Sequence, residues 1–220
     1  MARFPNFDFL FSFNRKISKK FAPFFLKTPL RPNDITSLAL LSGFIAAYFM
    51  SKGSRGNLLW GAFFLQMSFI LDNCDGTVAR LKSMQSAFGM WYDLVADVLV
   101  DFALWTGFAI GALSVADAPA WVIPAACAAW AGSFINFLRV IQDRFRGNTG
   151  KETPKTSNPF WSAVHVLSRD GDPSLLIWIL AAFAGPATFL LLGAFYINFI
   201  WMTETIRGFF QPQKPSRPGV

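Results

Sequence analysis

The chain has 220 residues, of which 53% are hydrophobic and only 15% charged, with a net charge of +7. An average soluble domain carries roughly 25% charged residues, so a soluble globular class is excluded and an integral, multi-pass membrane protein is expected. The positive balance does not point to nucleic acid, because the basic residues flank apolar runs, where anionic lipid headgroups are the natural counter-charge.

The first element is "FDFLFSFNRKISKKFAPFFLK" (7–27), which alternates Phe-rich with Lys/Arg-rich patches. That suits an amphipathic helix lying in the membrane interface, within an N-terminal juxtamembrane segment 1–33; the alternative is a disordered basic tail. No compact apolar stretch leads to a small-residue cleavage site, so no cleavable signal peptide is expected. "RPNDIT" (31–36) opens the first span, with Pro32 tolerated at a helix start and Asn33 or Asp34 as its cap. Six spans are expected, at about 34–51, 57–82, 87–113, 118–141, 169–184 and 186–209, most of them approaching the ~20 residues that cross a hydrocarbon core. The polar connections are 51–57 and 114–120 on one side, and 82–89 and 142–161 on the other, with a sharp turn at 184–187. The fold class is therefore all-α: one six-helix transmembrane domain, 34–209, followed by a tail, 210–220.

Basic residues from Arg3 to Arg31, Arg80, Lys82, Arg139 to Arg169 and Arg207 to Arg217 fall on one side, and Lys52 and Arg55 on the other. This asymmetry places both termini in the cytoplasm. Cys74 and Cys127 fall on different spans without a CxxC spacing, so neither a disulfide framework nor a zinc site is expected. Cys74 reads as a small packing residue.

The chemistry is concentrated at the end of the second span. On a helix, Asp72, Asp75, Gly76, Ala79 and Arg80 share one face of a 3.6-residue repeat, and on the next helix Gly89, Asp93, Asp97 and Asp101 recur at steps of four. Two helices joined by a short turn pack antiparallel, so the acidic faces can meet near the cytoplasmic end. Each such charge in lipid costs roughly 2.5–3.5 kcal/mol on insertion scales, and divalent cations offset both this cost and the mutual repulsion. The candidate ligands are all hard oxygens, which favours Mg²⁺ or Mn²⁺ over Zn²⁺. Two metals about 4 Å apart are a recurring device for displacement at phosphorus. Gly76 permits close approach to the backbone, and Arg80 offers a fork suited to phosphate.

The stretch "DNCDGTVARLKSMQSAFGMWYDLVAD" (72–97) fits D-x2-D-G-x2-A-R-x8-G-x3-D-x3-D without a gap. Eight fixed positions at roughly 7% frequency each give odds on the order of one in a billion per start site. The stretch resembles the signature of the CDP-alcohol phosphotransferase family. The resemblance implies transfer of a substituted phosphate from a CDP-linked donor, above all CDP-diacylglycerol, to an alcohol, with release of CMP. It implies metal binding by Asp72, Asp75 and Asp93, with Asp97 sharing a metal and acting as the base for the acceptor hydroxyl. Gly76 and Arg80 would hold the CDP moiety, Asn33 to Thr36 and Ser86 would line the nucleotide site, and the protein would be a homodimer. Asp101, outside the motif, reads as a hydrogen-bonded structural residue.

Arg139 and Arg169 lie on expected helix ends facing the same cavity, where relatives with phosphorylated acceptors place basic residues. A small polar, phosphorylated alcohol is therefore the expected acceptor. Here "RVIQD" (139–143) stands where relatives often read "KARAE", so the acceptor itself is not named by the sequence. The setting expected is a prokaryotic cytoplasmic membrane, with the site facing the cytoplasm. The alternatives are a CDP-choline or CDP-ethanolamine transferase acting on a lipid alcohol and, from another class, an ion- or proton-coupled transporter. His165 reads as an interfacial residue.

Overall fold

The structure, a computed structural model, describes residues 13–114, 118–145 and 185–210. The described residues form six α-helices and no strand: α1 (Phe13–Leu26), α2 (Pro32–Met50), α3 (Arg55–Leu81), α4 (Ala87–Leu113), α5 (Val122–Phe145) and α6 (Pro186–Phe210). Four of them, α2, α4, α5 and α6, are long and apolar enough to cross a membrane. Helix α3 has 27 residues, about 40 Å at 1.5 Å per residue, so its length is ample. Its apolar character is diluted by Gln66, Asp72, Asn73, Asp75 and Arg80, which is why it falls short in composition. The span expected at 169–184, with His165 and Arg169, lies outside the described residues.

Several boundaries differ from the sequence expectation. Arg31, not Asn33 or Asp34, is the residue capping α2, in an extended conformation with Pro32 at the first helical position. A residue before proline is pushed out of the helical region, so the helix cannot begin earlier. Asp34 contributes from inside the first turn, where its Oδ2 accepts from the Arg31 backbone N–H at 2.8 Å. Helix α5 begins at Val122 instead of 118 and runs on to Phe145, into the stretch expected to be loop.

The reversal from α3 to α4 is compact. Lys82 closes α3, and Ser83 takes the left-handed conformation at φ 53°. The Met84 N–H then reaches Ala79 O at 2.9 Å and the Ser83 N–H reaches Arg80 O at 3.3 Å, the paired closure that usually carries glycine at the left-handed position. Ser86 caps α4, its hydroxyl accepting from the Gly89 N–H at 2.9 Å. The two acidic helices are thereby returned side by side.

Helix α2 packs against both α3 and α4. Small residues let the α2 and α4 backbones touch: a Cβ on Gly107 would lie 2.4 Å from Ala47 O, and one on Gly111 2.4 Å from Met50 O. Apolar burial does little to drive helices together in lipid, so close van der Waals contact and interhelical hydrogen bonds carry the association. The Ser42 hydroxyl donates to Phe64 O at 2.7 Å and the Ser68 hydroxyl to Ala39 O at 2.8 Å, joining α2 to α3. On its other side α4 packs on α5 and α6, where the Phe108 and Phe189 rings stack at 4.5 Å.

Helix α1 docks on α3. Its buried Ser18, Ala22 and Phe25 recur at steps of four and three, and Ala22 and Phe25 pack with Ile70, Cys74 and Val78. Cys74 is fully buried, its thiol 3.5 Å from Ser18 O, in the packing role its context suggested. The Lys82 ammonium donates to Thr28 O at 3.0 Å and Leu30 O at 2.8 Å, so the α1–α2 link is tied to the end of α3.

Candidate active site

The last three turns of α3 and the first three of α4 carry Asp72, Asp75, Asp93 and Asp97. Carboxylate oxygens of Asp72, Asp75 and Asp93 all lie within 4.8 Å of one another. Three such charges repel by about 3 kcal/mol per pair at the effective dielectric of a protein site. A bound cation removes that repulsion, and an all-oxygen donor set fits Mg²⁺ or Mn²⁺.

Asp75 is buried and held from outside its own helix. The Thr36 hydroxyl, also buried, donates to Asp75 Oδ2, a contact spanning α2 and α3. Such partners of a ligating carboxylate orient it, and losing one typically lowers metal affinity 10–100-fold. Thr36→Val is therefore expected to weaken Mn²⁺ binding within that range, with Thr36→Ser restoring most of it. Isothermal titration of the purified protein with Mn²⁺ checks this, and equal affinity in Thr36→Val and the unaltered protein would refute it.

Asp97 sits one turn beyond Asp93 on α4. It is exposed, lies within hydrogen-bonding reach of Asp72, and stands outside the close triad. Asp101, a further turn along, turns to α5 and hydrogen-bonds Ser133, which in turn accepts from Trp105 Nε1 at 2.8 Å. That is the structural setting expected for Asp101.

The triad borders a cleft of about 430 Å³ whose wall also includes Asn73, Gly76, Thr77 and Arg80 from α3 and Ser18 and Lys19 from α1. A Cβ on Gly76 would meet only Arg80 Nη1, at 3.5 Å, so the backbone there is open to the cleft. The exposed Arg80 guanidinium donates to Thr77 Oγ1 at 3.2 Å. Asn33 and Ser86 gather around Gly89 instead: a Cβ there would lie 3.1 Å from Asn33 Oδ1 and 3.0 Å from Ser86 Oγ. Arg139 is partly buried on α5, donating to Asn136 Oδ1 at 3.3 Å, and is not among the residues bordering this cleft.

Sequence reasoning missed Ser18, Lys19, Asn73 and Thr77. A signal existed for α1: Ser18, Ala22 and Phe25 form a stripe at helical spacing, and Lys19 flanks it. Thr36, expected from the resemblance to line the nucleotide site, has its hydroxyl on a carboxylate 39 residues away, a contact the sequence did not suggest.

A family model described as CDP-alcohol phosphatidyltransferase matches residues 30–158. The chain is 36% identical over 115 residues to the bifunctional IPC transferase and DIPP synthase of Aquifex aeolicus, covering 51% of this chain and 25% of that one. It is 26% identical over 102 residues to the phosphatidylinositol phosphate synthase of Streptomyces avermitilis, covering 45% of this chain and 40% of that one. The matches thus span less than half the length of either curated relative. Among solved structures, Mycobacterium tuberculosis phosphatidylinositol phosphate synthase with CDP-DAG bound superposes with a TM-score of 0.56 at 18% identity, over 93% of this chain and 100% of that chain. That likeness concerns the fold.

Proposed function

Because the chain belongs to the CDP-alcohol phosphatidyltransferase family, we propose that it transfers a phosphatidyl group from CDP-diacylglycerol to the hydroxyl of a polar, phosphorylated alcohol, releasing CMP. The observation that carries this reading is the meeting of the Asp72, Asp75 and Asp93 oxygens within 4.8 Å beside a cleft that Gly76 and Arg80 also border. Curated relatives named as a phosphatidylinositol phosphate synthase and an IPC transferase support a phosphorylated acceptor.

Asp72, Asp75 and Asp93 would hold two divalent ions, Mg²⁺ or Mn²⁺, with Asp97 sharing one. When bound, these ions would stabilise the charge that develops on the departing CMP. Asp97 takes the proton from the acceptor hydroxyl as that oxygen bonds to the lipid-side phosphorus, and the phosphorus–oxygen bond to CMP breaks. Arg80 pairs with phosphate oxygens of the donor, and the open backbone at Gly76 lets the nucleotide approach. Asn33, Thr36 and Ser86 would serve the nucleotide end of the site, and Arg139 with Arg169 would grip the acceptor phosphate. The protein works as a homodimer in a prokaryotic cytoplasmic membrane, with six spans, α1 lying at the interface, and the cleft facing the cytoplasm.

Purified protein offered CDP-diacylglycerol, Mn²⁺ or Mg²⁺ and a panel of alcohols tests this. CMP release is expected only with metal, and fastest with a phosphorylated polyol or sugar. Release with choline- or ethanolamine-linked CDP and diacylglycerol, but not with CDP-diacylglycerol, would overturn it.

A further inference from the structure

Helix α1 has no part in the metal triad, yet it supplies part of the cleft wall. Its position is set by burial: Ser18, Ala22 and Phe25 face the bundle, with the Cys74 thiol against Ser18 O at 3.5 Å. At 100° per residue, Lys19 falls on one flank of that buried stripe and Phe21 with Phe24 on the other. Phe21 and Phe24 are exposed, while Lys19 borders the cleft together with Asp72, Asp75 and Arg80. Lys19 and its neighbour Lys20 are both exposed, but Lys20 does not border the cleft. One lysine of this basic segment is thus singled out by geometry from a run that otherwise reads as surface charge.

The charges in the cleft give Lys19 a task. A CDP-linked donor carries a negative charge on each phosphate group. Two divalent ions match the four aspartates of the motif, so the diphosphate adds a surplus of negative charge. Arg80 balances one of the two phosphate groups, and the other needs a cation on a long, adjustable stem. An ammonium with three rotatable donors is suited to that.

We infer that Lys19 is a donor-binding residue, contributing from α1 a charge-assisted hydrogen bond to the diphosphate of the CDP-linked donor. The inference rests on the proposed function and extends it to a helix outside the motif. The docking of α1 is then part of forming the donor site, and the exposed Phe21 and Phe24 set the height of that helix at the lipid surface.

Calorimetric titration with CDP and with cytidine, in Mn²⁺, is the test, alongside turnover. Lys19→Gln is expected to weaken CDP binding about tenfold, within the range of a charge-assisted hydrogen bond. It should leave cytidine binding unchanged, raise KM for the donor and not for the acceptor, and flatten the salt dependence of CDP binding. Lys19→Arg retains the charge and should retain affinity, and Lys20→Gln should match the unaltered protein. Equal CDP affinity in Lys19→Gln, or an equal loss in Lys20→Gln, overturns the inference while leaving the proposed function standing. No CDP binding by the unaltered protein with Mn²⁺ present defeats the proposed function, and this inference with it.

Discussion

Asp97→Asn is expected to slow CMP release about 10²–10⁴-fold, the usual contribution of a positioned general base, while Mn²⁺ affinity falls much less than in Asp93→Asn. The geometry separates the two residues although one helical turn divides them. Asp93 belongs to the triad whose oxygens lie within 4.8 Å of each other, and Asp97 is exposed beside it, in reach of Asp72. Removing the Asp93 charge takes away a proposed ligand, so on that reading binding and turnover should collapse together. Removing that of Asp97 leaves the triad whole, at the loss of one shared metal contact, and withdraws the group proposed to accept the proton. Mn²⁺ calorimetry and single-turnover CMP release on both variants separate the cases. Equal loss of metal affinity in the two would make Asp97 an ordinary ligand and leave the base unassigned.

The largest stability effect should come from the crossing of α2 and α4. A Cβ on Gly107 would stand 2.4 Å from a backbone oxygen, that of Ala47, and a backbone has nowhere to retreat in a packed bundle. Gly107→Ala is expected to destabilise by roughly 3 kcal/mol, at the upper end of overpacking effects. At Gly43 the obstacles are both Val100 methyls, at 2.5 and 2.7 Å. A β-branched side chain is stiff at χ1, so Gly43→Ala should also destabilise, but by less, because a side chain and not a backbone must give. At Gly56 nothing lies within 4 Å, and alanine there should stabilise by about 0.5–1 kcal/mol through the entropy of the unfolded chain. Unfolding midpoints in detergent for the three variants should follow that order. A Gly107→Ala protein as stable as the parent would show that the two helices have room to part.

The acidic face is legible in the sequence because a helix turns 100° per residue. Asp72 and Asp75, then Asp93 and Asp97, can only line up along one side each, and the short turn at Ser83 leaves the two helices antiparallel. The contacts that finish the site are of another kind. Thr36 meets Asp75 across 39 residues, and Lys19 reaches the cleft only because α1 docks on α3; both depend on where helices cross, which no local period encodes. Boundaries follow the same division: Pro32 forces the cap back to Arg31, whereas the extension of α5 to Phe145 has no local marker. The polarity of α3, which sets it apart from the four more apolar helices, is the other side of the same fact, since a helix that carries the site gives up apolar positions to do so.

The clasp of Lys82 on the Thr28 and Leu30 carbonyls joins these parts into a closed ring. Helix α3 bears Asp75, the lysine that closes it anchors the strap that leads into α2, and α2 returns Thr36 to Asp75. A disturbance anywhere on this circuit is felt by the carboxylate itself. With the metal site proposed above, cation binding would report on whether the amino-terminal third has been assembled, and an unfinished protein would lack the means to start its chemistry.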